Sequence, residues 1–364
     1  MSDFDYGNAR LHAMKARLLS RRTLEGLAET GSVPGLITAL TNTAYREAVE
    51  AALARSLEEP AGLECLAEAL RNDLVATVGK ARVFFRDKAG ELAALVLRRY
   101  DLHNVKAVLR GLAQHVPANE ILASTLPMGD LRPADLAELA RSANFRGAVD
   151  LLTTWAVPLS RPLLELRARR RGDGADVPEM ELTLDRWHLQ TARRAAREAG
   201  DEGKTYLEAL RLEADAANIM TALRLVGVTE AATTLRAHFG TGETTVLFIG
   251  PGHIPLGLWA EAARQPSVTE AVNTLAGTPY GATLRGAMEK YATANRLSVF
   301  ERALMRRQLQ HAVGFFAADP LGIGVLLGYV VLKTNEVANL RAIAQGLMLG
   351  EKSDRIRAEL TFAD

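Results

Sequence analysis

The pattern of apolar and polar positions predicts a helix from Lys333 to Gly346. At about 100° per residue, the apolar side chains of this segment fall on one continuous arc. They are Leu340, Ile343, Ala344 and Leu347. Glu336 falls inside the same arc. Because an unpaired buried carboxylate costs several kcal/mol, the pattern predicts a designated partner for Glu336.

The same arrangement occurs three times: an acidic residue, an asparagine three positions later, and then apolar positions. The pairs are Asp101 with Asn104, Asp215 with Asn218, and Glu336 with Asn339. A degenerate fourth copy, Asp5 with Asn8, lies near the start of the sequence. The three asparagines are 114 and 121 positions apart, which is the length of a small domain. We therefore predict three similar helical repeat units, residues 1–114, 115–230 and 231–364.

An aromatic phrase supports the same division. It reads Ala44-Tyr45-Arg46, Asn144-Phe145-Arg146 and, more loosely, Pro279-Tyr280. Each copy follows a short stretch with a helical pattern, and the next signature asparagine lies 59, 73 and 59 positions downstream. The two markers alternate, and the sequence begins and ends in the same kind of helix. We therefore expect the terminal helices to pack side by side and to close a pseudo-threefold arrangement.

The remaining pattern predicts helices and no strand of useful length, so the expected fold class is all-α. The predicted helices include 8–22, 24–29, 33–40, 45–57, 71–85 and 91–112. The longest apolar run, Pro320 to Leu332, is too short to span a bilayer and predicts a buried helix.

Two segments lengthen the second and third units. Residues 167–179 are polar and contain glycine, which predicts a solvated linker, with a binding patch as the alternative. Residues 239–258 are apolar and rich in helix breakers, which predicts a packed loop, with a partner contact as the alternative.

Composition narrows the classes of function. A net charge of +1 gives no electrostatic reason to expect a nucleic acid or a membrane surface as partner. The single cysteine, Cys65, excludes an intramolecular disulfide and fits a reducing cytoplasm. The first residues, Met-Ser-Asp-Phe-Asp, are acidic and polar, so we expect no signal peptide.

No motif indicates an enzymatic or cofactor site. Gly203-Lys204-Thr205 resembles the end of a phosphate loop, but Glu198 stands where that loop needs its first glycine. A dinucleotide fingerprint beginning at Gly250 would need a glycine where Pro255 stands. The seven histidines form no i, i+4 pair, and His253 is expected to be structural. We therefore expect no catalytic, cofactor-binding or metal-ligating residues.

The signature residues are Asp101, Asn104, Asp215, Asn218, Glu336, Asn339 and Arg341. Three inward carboxylates also allow a catalytic interpretation. The structural interpretation is stronger, because an acid and an asparagine three positions apart share one helix face and can bond to the backbone of a neighbouring helix end. We hypothesise that the three acids each cap an adjoining helix.

Several longer motifs occur in a specific order. They are Tyr6-Gly-Asn8-Ala-Arg10 followed by Met14-Lys15, Arg99-Tyr100-Asp101-Leu-His-Asn104, Ile249-Gly-Pro-Gly252-His, Thr278-Pro-Tyr280-Gly, and the run from Gly328 to Gly346. In these motifs, and over nearly the whole chain, the sequence resembles the C subunit of the prokaryotic V/A-type rotary ATPases, whose eukaryotic counterpart is the d subunit. It differs at Leu347, where the family usually has lysine, and in the long 167–179 linker.

That family is all-α, with three similar helical domains in a pseudo-threefold cone or funnel. The resemblance implies a non-catalytic rotor subunit of a V/A-type ATPase or ATP synthase, peripheral to the membrane on its cytoplasmic face. The implied partners are the central-stalk subunits and the membrane proteolipid ring, between which torque for ion transport would pass. It implies no cofactor, bound nucleotide or nucleic acid. The alternative is a free-standing all-α scaffold that binds cytoplasmic partners.

Overall fold

The computed structural model describes residues 4–56, 62–169, 176–228 and 231–363. In these ranges the chain forms α-helices and two short 3-10 helices, and no strand, which confirms the predicted all-α class. The α-helices are α1 (Asp5–Lys15), α2 (Arg21–Leu27), α3 (Val33–Leu40), α4 (Arg46–Leu53), α5 (Leu63–Arg82), α6 (Asp87–Ala113), α7 (Ala118–Ala123), α8 (Pro133–Ala140), α9 (Phe145–Thr154), α10 (Ser160–Arg169), α11 (Val177–Glu198), α12 (Lys204–Leu225), α13 (Ala231–Phe239), α14 (Leu256–Ala263), α15 (Val268–Thr274), α16 (Gly281–Ala294), α17 (Ser298–Ala318), α18 (Gly324–Met348) and α19 (Ser353–Glu359).

Short polar side chains define where many of these helices begin. The residue just before the first turn accepts a hydrogen bond from a backbone N–H three positions later, an interaction that satisfies one of the free donors of the helix end. The residues that do so are Ser20, Ser32, Asn144, Asp176 and Ser267. Local capping therefore divides the chain into helices with short connections.

Two of the predicted helices differ most from the structure. The predicted helix 8–22 is interrupted, because α1 ends at Lys15 and Ser20 caps a new helix that begins at Arg21. The other predicted helix, 71–85, starts too late, because α5 begins at Leu63 instead of Arg71. Cys65 is part of that first stretch and is buried on the same apolar face as the rest of the helix, in agreement with a structural role.

The chain divides into two compact units. Unit 1 comprises residues 1–97 and 309–364, and unit 2 comprises residues 98–308. The threefold repeat of units 1–114, 115–230 and 231–364 stays a prediction, as does its pseudo-threefold arrangement.

Helix α18 lies at the centre of unit 1, where it packs against α1, α2, α3, α5 and α19. It contains most of the apolar run for which a buried helix was predicted, but the helix begins at Gly324, and Leu321 before it is exposed. Val325, Leu326 and Tyr329 are buried as expected. The predicted helix 333–346 is the second half of α18. Within the four described ranges, none of the helices combines the length and the hydropathy that crossing a bilayer requires.

In unit 2, α12 packs against α11, α14 and α15. The segment 239–258 connects α13 to α14 and is a packed loop, as predicted, since Phe248 and Ile254 are both buried. Of the predicted linker 167–179, residues 170–175 lie outside the described residues. The flanking residues end α10 and begin α11.

Candidate functional site

The first signature pair, on α6, holds the loop Leu126–Leu131 that precedes α8. The Asn104 side chain forms two hydrogen bonds with one residue: Nδ2 donates to the Leu126 carbonyl at 2.9 Å, and Oδ1 accepts from the Leu126 N–H at 2.6 Å. The Asp101 carboxylate accepts from the N–H groups of Asp130 and Leu131 at 2.8 and 2.9 Å. We call this arrangement the first clamp.

The second pair, on α12, holds the loop Ile249–Ile254 in the same way. Asn218 accepts from the Ile249 N–H at 3.0 Å and donates to the Gly250 carbonyl at 2.7 Å. The Asp215 carboxylate accepts from the N–H groups of His253 and Ile254 at 2.8 and 3.3 Å. This is the second clamp, and both of its side chains are fully buried.

The backbone N–H groups that the two clamps hold have the same register in the two loops. In each, the asparagine bonds to the first residue, and the acid accepts from the fifth and sixth residues. The fourth residue is glycine in both loops, and a Cβ placed on Gly129 or Gly252 would overlap the carboxylate of Asp101 or Asp215. The sixth residue immediately precedes the N-cap of α8 or α14. Glycine is therefore required where the loop backbone passes closest to the acid.

The third pair, on α18, binds two separate segments. Asn339 exchanges two hydrogen bonds with Thr361, each of 3.0 Å, as Asn104 does with Leu126. The Glu336 carboxylate accepts from the N–H of Leu19, which immediately precedes the N-cap of α2. Leu19 and Thr361 thus take the positions of the sixth and first loop residues, although 342 positions separate them in the chain. This is the third clamp.

A buried ionic network completes the third clamp. The Lys333 ammonium donates to Glu336 at 2.8 Å and to the Tyr45 hydroxyl at 2.9 Å, and it forms an ion pair with Asp73 at 2.7 Å. The Tyr45 hydroxyl donates to Glu336 at 2.7 Å. Burial, together with the neighbouring Glu336 charge, raises the pKa of Tyr45 far above its ordinary value, so the hydroxyl keeps its proton. Glu336 has the designated partner that its position in the apolar arc predicted.

A tyrosine also contacts the acid of the second clamp. The Tyr280 hydroxyl lies 3.3 Å from Asp215, and burial followed by the Asp215 charge raises the pKa of Tyr280. Tyr45 and Tyr280 are the aromatic residues of the repeated phrase, and each lies 26 positions after the last residue held by its acid. The remaining copy of the phrase has Phe145 at this position, and phenylalanine carries no hydroxyl.

His253 is a further part of the second clamp. Its Nδ1 lies 3.0 Å from Asp215, and its Nε2 lies 3.1 Å from Glu208. The imidazole therefore joins a fully buried acid to a partly exposed one. These contacts agree with the structural role expected for this histidine.

The fourth, degenerate copy is a partial version of the same device. The Asn8 side chain donates to the carbonyls of Pro320 and Gly322 at 3.3 and 3.0 Å. Arg341, in contrast, is exposed on α18 and takes no part in the third clamp. The structure thus brings the acid and the asparagine onto one loop in the first two clamps and onto two separate segments in the third, and it leaves Arg341 outside the clamps.

Sequence reasoning missed several residues of the clamps. Gly129 and Gly252 have a signal that could have been read, because the loops follow the patterns Leu-x-x-Gly-x-Leu and Ile-x-x-Gly-x-Ile. Lys333 also had one, since it precedes Glu336 by one helical turn. Asp73 and Thr361 had none, because they belong to segments distant in sequence.

The chemistry of the clamps is that of hydrogen-bonded supports. Each acid accepts backbone N–H groups just outside a helix, one or two positions before the N-cap. A carboxylate used in this way holds a loop against a helix, with about 1.5–3 kcal/mol for each bond to the charged group. In the part of the chain that the structure describes, no three His, Cys, Asp or Glu side chains are grouped to hold a metal ion.

Comparison with known proteins tests the family resemblance that the order of the motifs indicated. Residues 7–359 match the ATP synthase (C/AC39) subunit family. The chain is 24% identical to the C subunit of the A-type ATP synthase of Methanocaldococcus jannaschii, an alignment that covers 99% of this chain and 86% of the relative. It is 27% identical to the same protein of Methanosarcina barkeri, over 99% of this chain and 93% of the relative. For Halobacterium salinarum the identity is 26%, over 99% and 98%.

The family match covers nearly the whole chain, and the family is one of non-catalytic subunits. The resemblance inferred from the order of the motifs is therefore confirmed. The chain belongs to the ATP synthase (C/AC39) subunit family.

Proposed function

We propose that this chain is the rotor subunit that joins the central stalk of an A-type ATP synthase to the membrane proteolipid ring. It would lie on the cytoplasmic face of the membrane and transmit torque between the two during ion transport. The observation that carries the proposal is the match to the ATP synthase (C/AC39) subunit family over residues 7–359. The relatives named above are subunits of A-type ATP synthases.

The clamps support a mechanical role. A protein that transmits torque must resist deformation, and loops are ordinarily the most deformable parts of a helical protein. Here the loops before α8 and α14 are bound to long helices by paired asparagine and carboxylate bonds. Buried bonds of this kind are shielded from competition with water, so they restrict loop motion. We propose that the signature residues have this function.

Deletion of the gene for this chain tests the proposal. Without the coupler, the ATP-hydrolysing headpiece should remain active, whereas ATP-driven ion uptake into membrane vesicles should be abolished. Reintroduction of the wild-type chain should restore uptake. Preserved ion uptake in the deletion strain would contradict the proposal.

Purification distinguishes the coupler from a free-standing scaffold. A tagged rotor subunit should co-purify from detergent extracts with both stalk and proteolipid subunits. A scaffold should be recovered without proteolipid subunits.

A further inference from the structure

One face of α1 lines an open groove of about 380 Å³. The lining residues are Tyr6, Ala9, Arg10, Ala13, Met14 and Arg17. Tyr6, Ala9, Arg10, Ala13 and Met14 lie on one side of α1, and Arg17 follows in the turn after the helix ends at Lys15. All except Met14 are exposed, and Tyr6 is 63% exposed. We call this surface the α1 groove.

The opposite face of α1 is fixed to unit 1. Leu11 is fully buried, and the Asn8 side chain bonds to two backbone carbonyls before α18. The Lys15 ammonium lies 3.8 Å from the centre of the Phe316 ring. Because the buried face is held in this way, the groove is presented on a rigid support.

Arg10 is held in a defined orientation within the groove. Its guanidinium lies 4.7 Å from the centre of the Phe84 ring and 5.6 Å from that of Tyr6, and its Nη1 donates to the Tyr6 hydroxyl at 3.0 Å. Stacking on rings leaves donors at the edge of the guanidinium directed elsewhere. Among the residues that the structure describes, no carboxylate forms an ion pair with Arg10 or Arg17. A fixed planar guanidinium suits two-point recognition of a carboxylate.

The composition of the groove fits a protein partner. Tyrosine and arginine are the residues most often found at the energetic centres of protein interfaces. Ala9 and Ala13 leave a shallow depression between them, into which apolar side chains of another helix can pack. The groove is too open to enclose a small ligand, and two arginines in a depression differ from the broad basic surface that binds anionic lipid.

We propose that the α1 groove is the docking surface for a carboxylate-bearing helical segment of another protein of the ATP synthase complex. This inference rests on the proposed function, because the partner is assigned to the same complex. The partner's carboxylate binds Arg10, its apolar side chains pack on Tyr6 and the two alanines, and Arg17 attracts acidic residues at the far end.

The variants Arg10→Glu and Tyr6→Ala/Arg10→Glu test the proposal in a strain lacking the native chain. The matched control is Arg22→Glu, an exposed arginine on α2 outside the groove. Wild type and Arg22→Glu should co-purify with the other ATP synthase subunits, whereas recovery with the two groove variants should fall by about tenfold or more. The isolated variants should remain folded with only a small drop in melting temperature, because the contacts of Arg10 with Phe84 and Tyr6 lie at an exposed site.

The partner is identified by a photo-crosslinking amino acid at Ala13. The cross-linked peptide should contain an acidic residue, and its replacement by lysine should restore co-purification of Arg10→Glu. Normal co-purification of both groove variants would overturn the proposal while the proposed function stands. Failure of the wild type itself to co-purify would overturn both.

A lipid occupant is tested with vesicles of equal parts phosphatidylcholine and phosphatidylglycerol. The wild-type chain should not float with these vesicles. Two results together would overturn the assignment to a protein partner. The wild-type chain would float while Arg10→Glu would not, and the photo-crosslinker at position 13 would react only with lipid.

Discussion

The Tyr45 hydroxyl donates a hydrogen bond to the Glu336 carboxylate at 2.7 Å, although 291 positions separate the two residues in the chain. The same hydroxyl accepts from Lys333 at 2.9 Å. One buried group thus satisfies both members of an ion pair on α18. Tyr280 has a weaker role in the second clamp, because its hydroxyl makes a 3.3 Å contact with Asp215, which also accepts two backbone N–H groups.

The difference between these contacts predicts that Tyr45→Phe destabilises the protein more than Tyr280→Phe. Loss of the Tyr45 hydroxyl leaves a buried donor and a buried acceptor each without one partner, at a cost of about 2–3 kcal/mol. Loss of the Tyr280 hydroxyl should cost about 1 kcal/mol or less, since Arg307 can still stack on the remaining ring. Urea unfolding followed by circular dichroism measures both. Equal midpoints for the two variants would contradict the ranking.

Glu336 provides a second test of the third clamp. Glu336→Gln keeps one acceptor oxygen, which from the Oε1 position can still accept from Tyr45 and Lys333, whereas Glu336→Leu leaves Leu19, Tyr45 and Lys333 each short of a partner. We expect a cost of about 3–5 kcal/mol for Glu336→Leu and a clearly smaller one for Glu336→Gln, because only the glutamine still offers an acceptor oxygen to the buried donors. Thermal melting measures the difference. The exposed Glu50→Leu on α4 is the control for the substitution itself. Equal melting temperatures for the two Glu336 variants would refute a hydrogen-bonded support.

The loop glycines give a steric test. In Gly252→Ala, the new methyl group overlaps the Asp215 carboxylate and the Arg211 carbonyl, so the loop must move. We expect a loss of about 1–3 kcal/mol, and the same direction for Gly129→Ala. Gly286→Ala, on α16 with no atom within 4 Å of the added Cβ, is the matched control and should be neutral or slightly stabilising. Unfolding midpoints that fall equally for all three would show that close packing against the acid is not the cause.

The sequence predicted the fold class because helical periodicity is local, and α18 is the example. It also indicated Glu336, since a buried polar position in an apolar arc requires a partner, and the repeat of the acid–asparagine pattern indicated Asp101, Asn104, Asp215, Asn218 and Asn339. It did not indicate which partners. The third clamp joins Leu19, Tyr45 and Thr361 to one helix, and contacts between such distant segments depend on packing that no local pattern encodes. The break between α1 and α2 was missed for another reason, because the Ser20 cap is a local signal, which the bond from the Leu19 N–H to Glu336 reinforces.

Acid sensitivity in unit 2 is expected from His188. Burial lowers the pKa of His188 to about 4, with Arg99, Arg98 and Lys106 opposing its charge and Glu213 favouring it. In the unfolded chain the pKa is about 6.5, so the unfolded state binds the proton more tightly. The contribution of the neutral imidazole to the free energy of unfolding is therefore fully present above about pH 6.5. It is lost as the pH falls towards 4, and the total loss is up to about 3 kcal/mol.

The variant His188→Gln removes this titration. Between about pH 7 and pH 5, its urea midpoint should fall less than that of the wild type. The reason is that His188 gains a proton on unfolding, whereas a glutamine at this position does not. His12→Gln, at an exposed position on α1, is the control for the substitution itself. Other groups also titrate in acid, so the measured quantity is the difference between each variant and the wild type at each pH. Parallel curves for His188→Gln and wild type would show that His188 is not the group responsible.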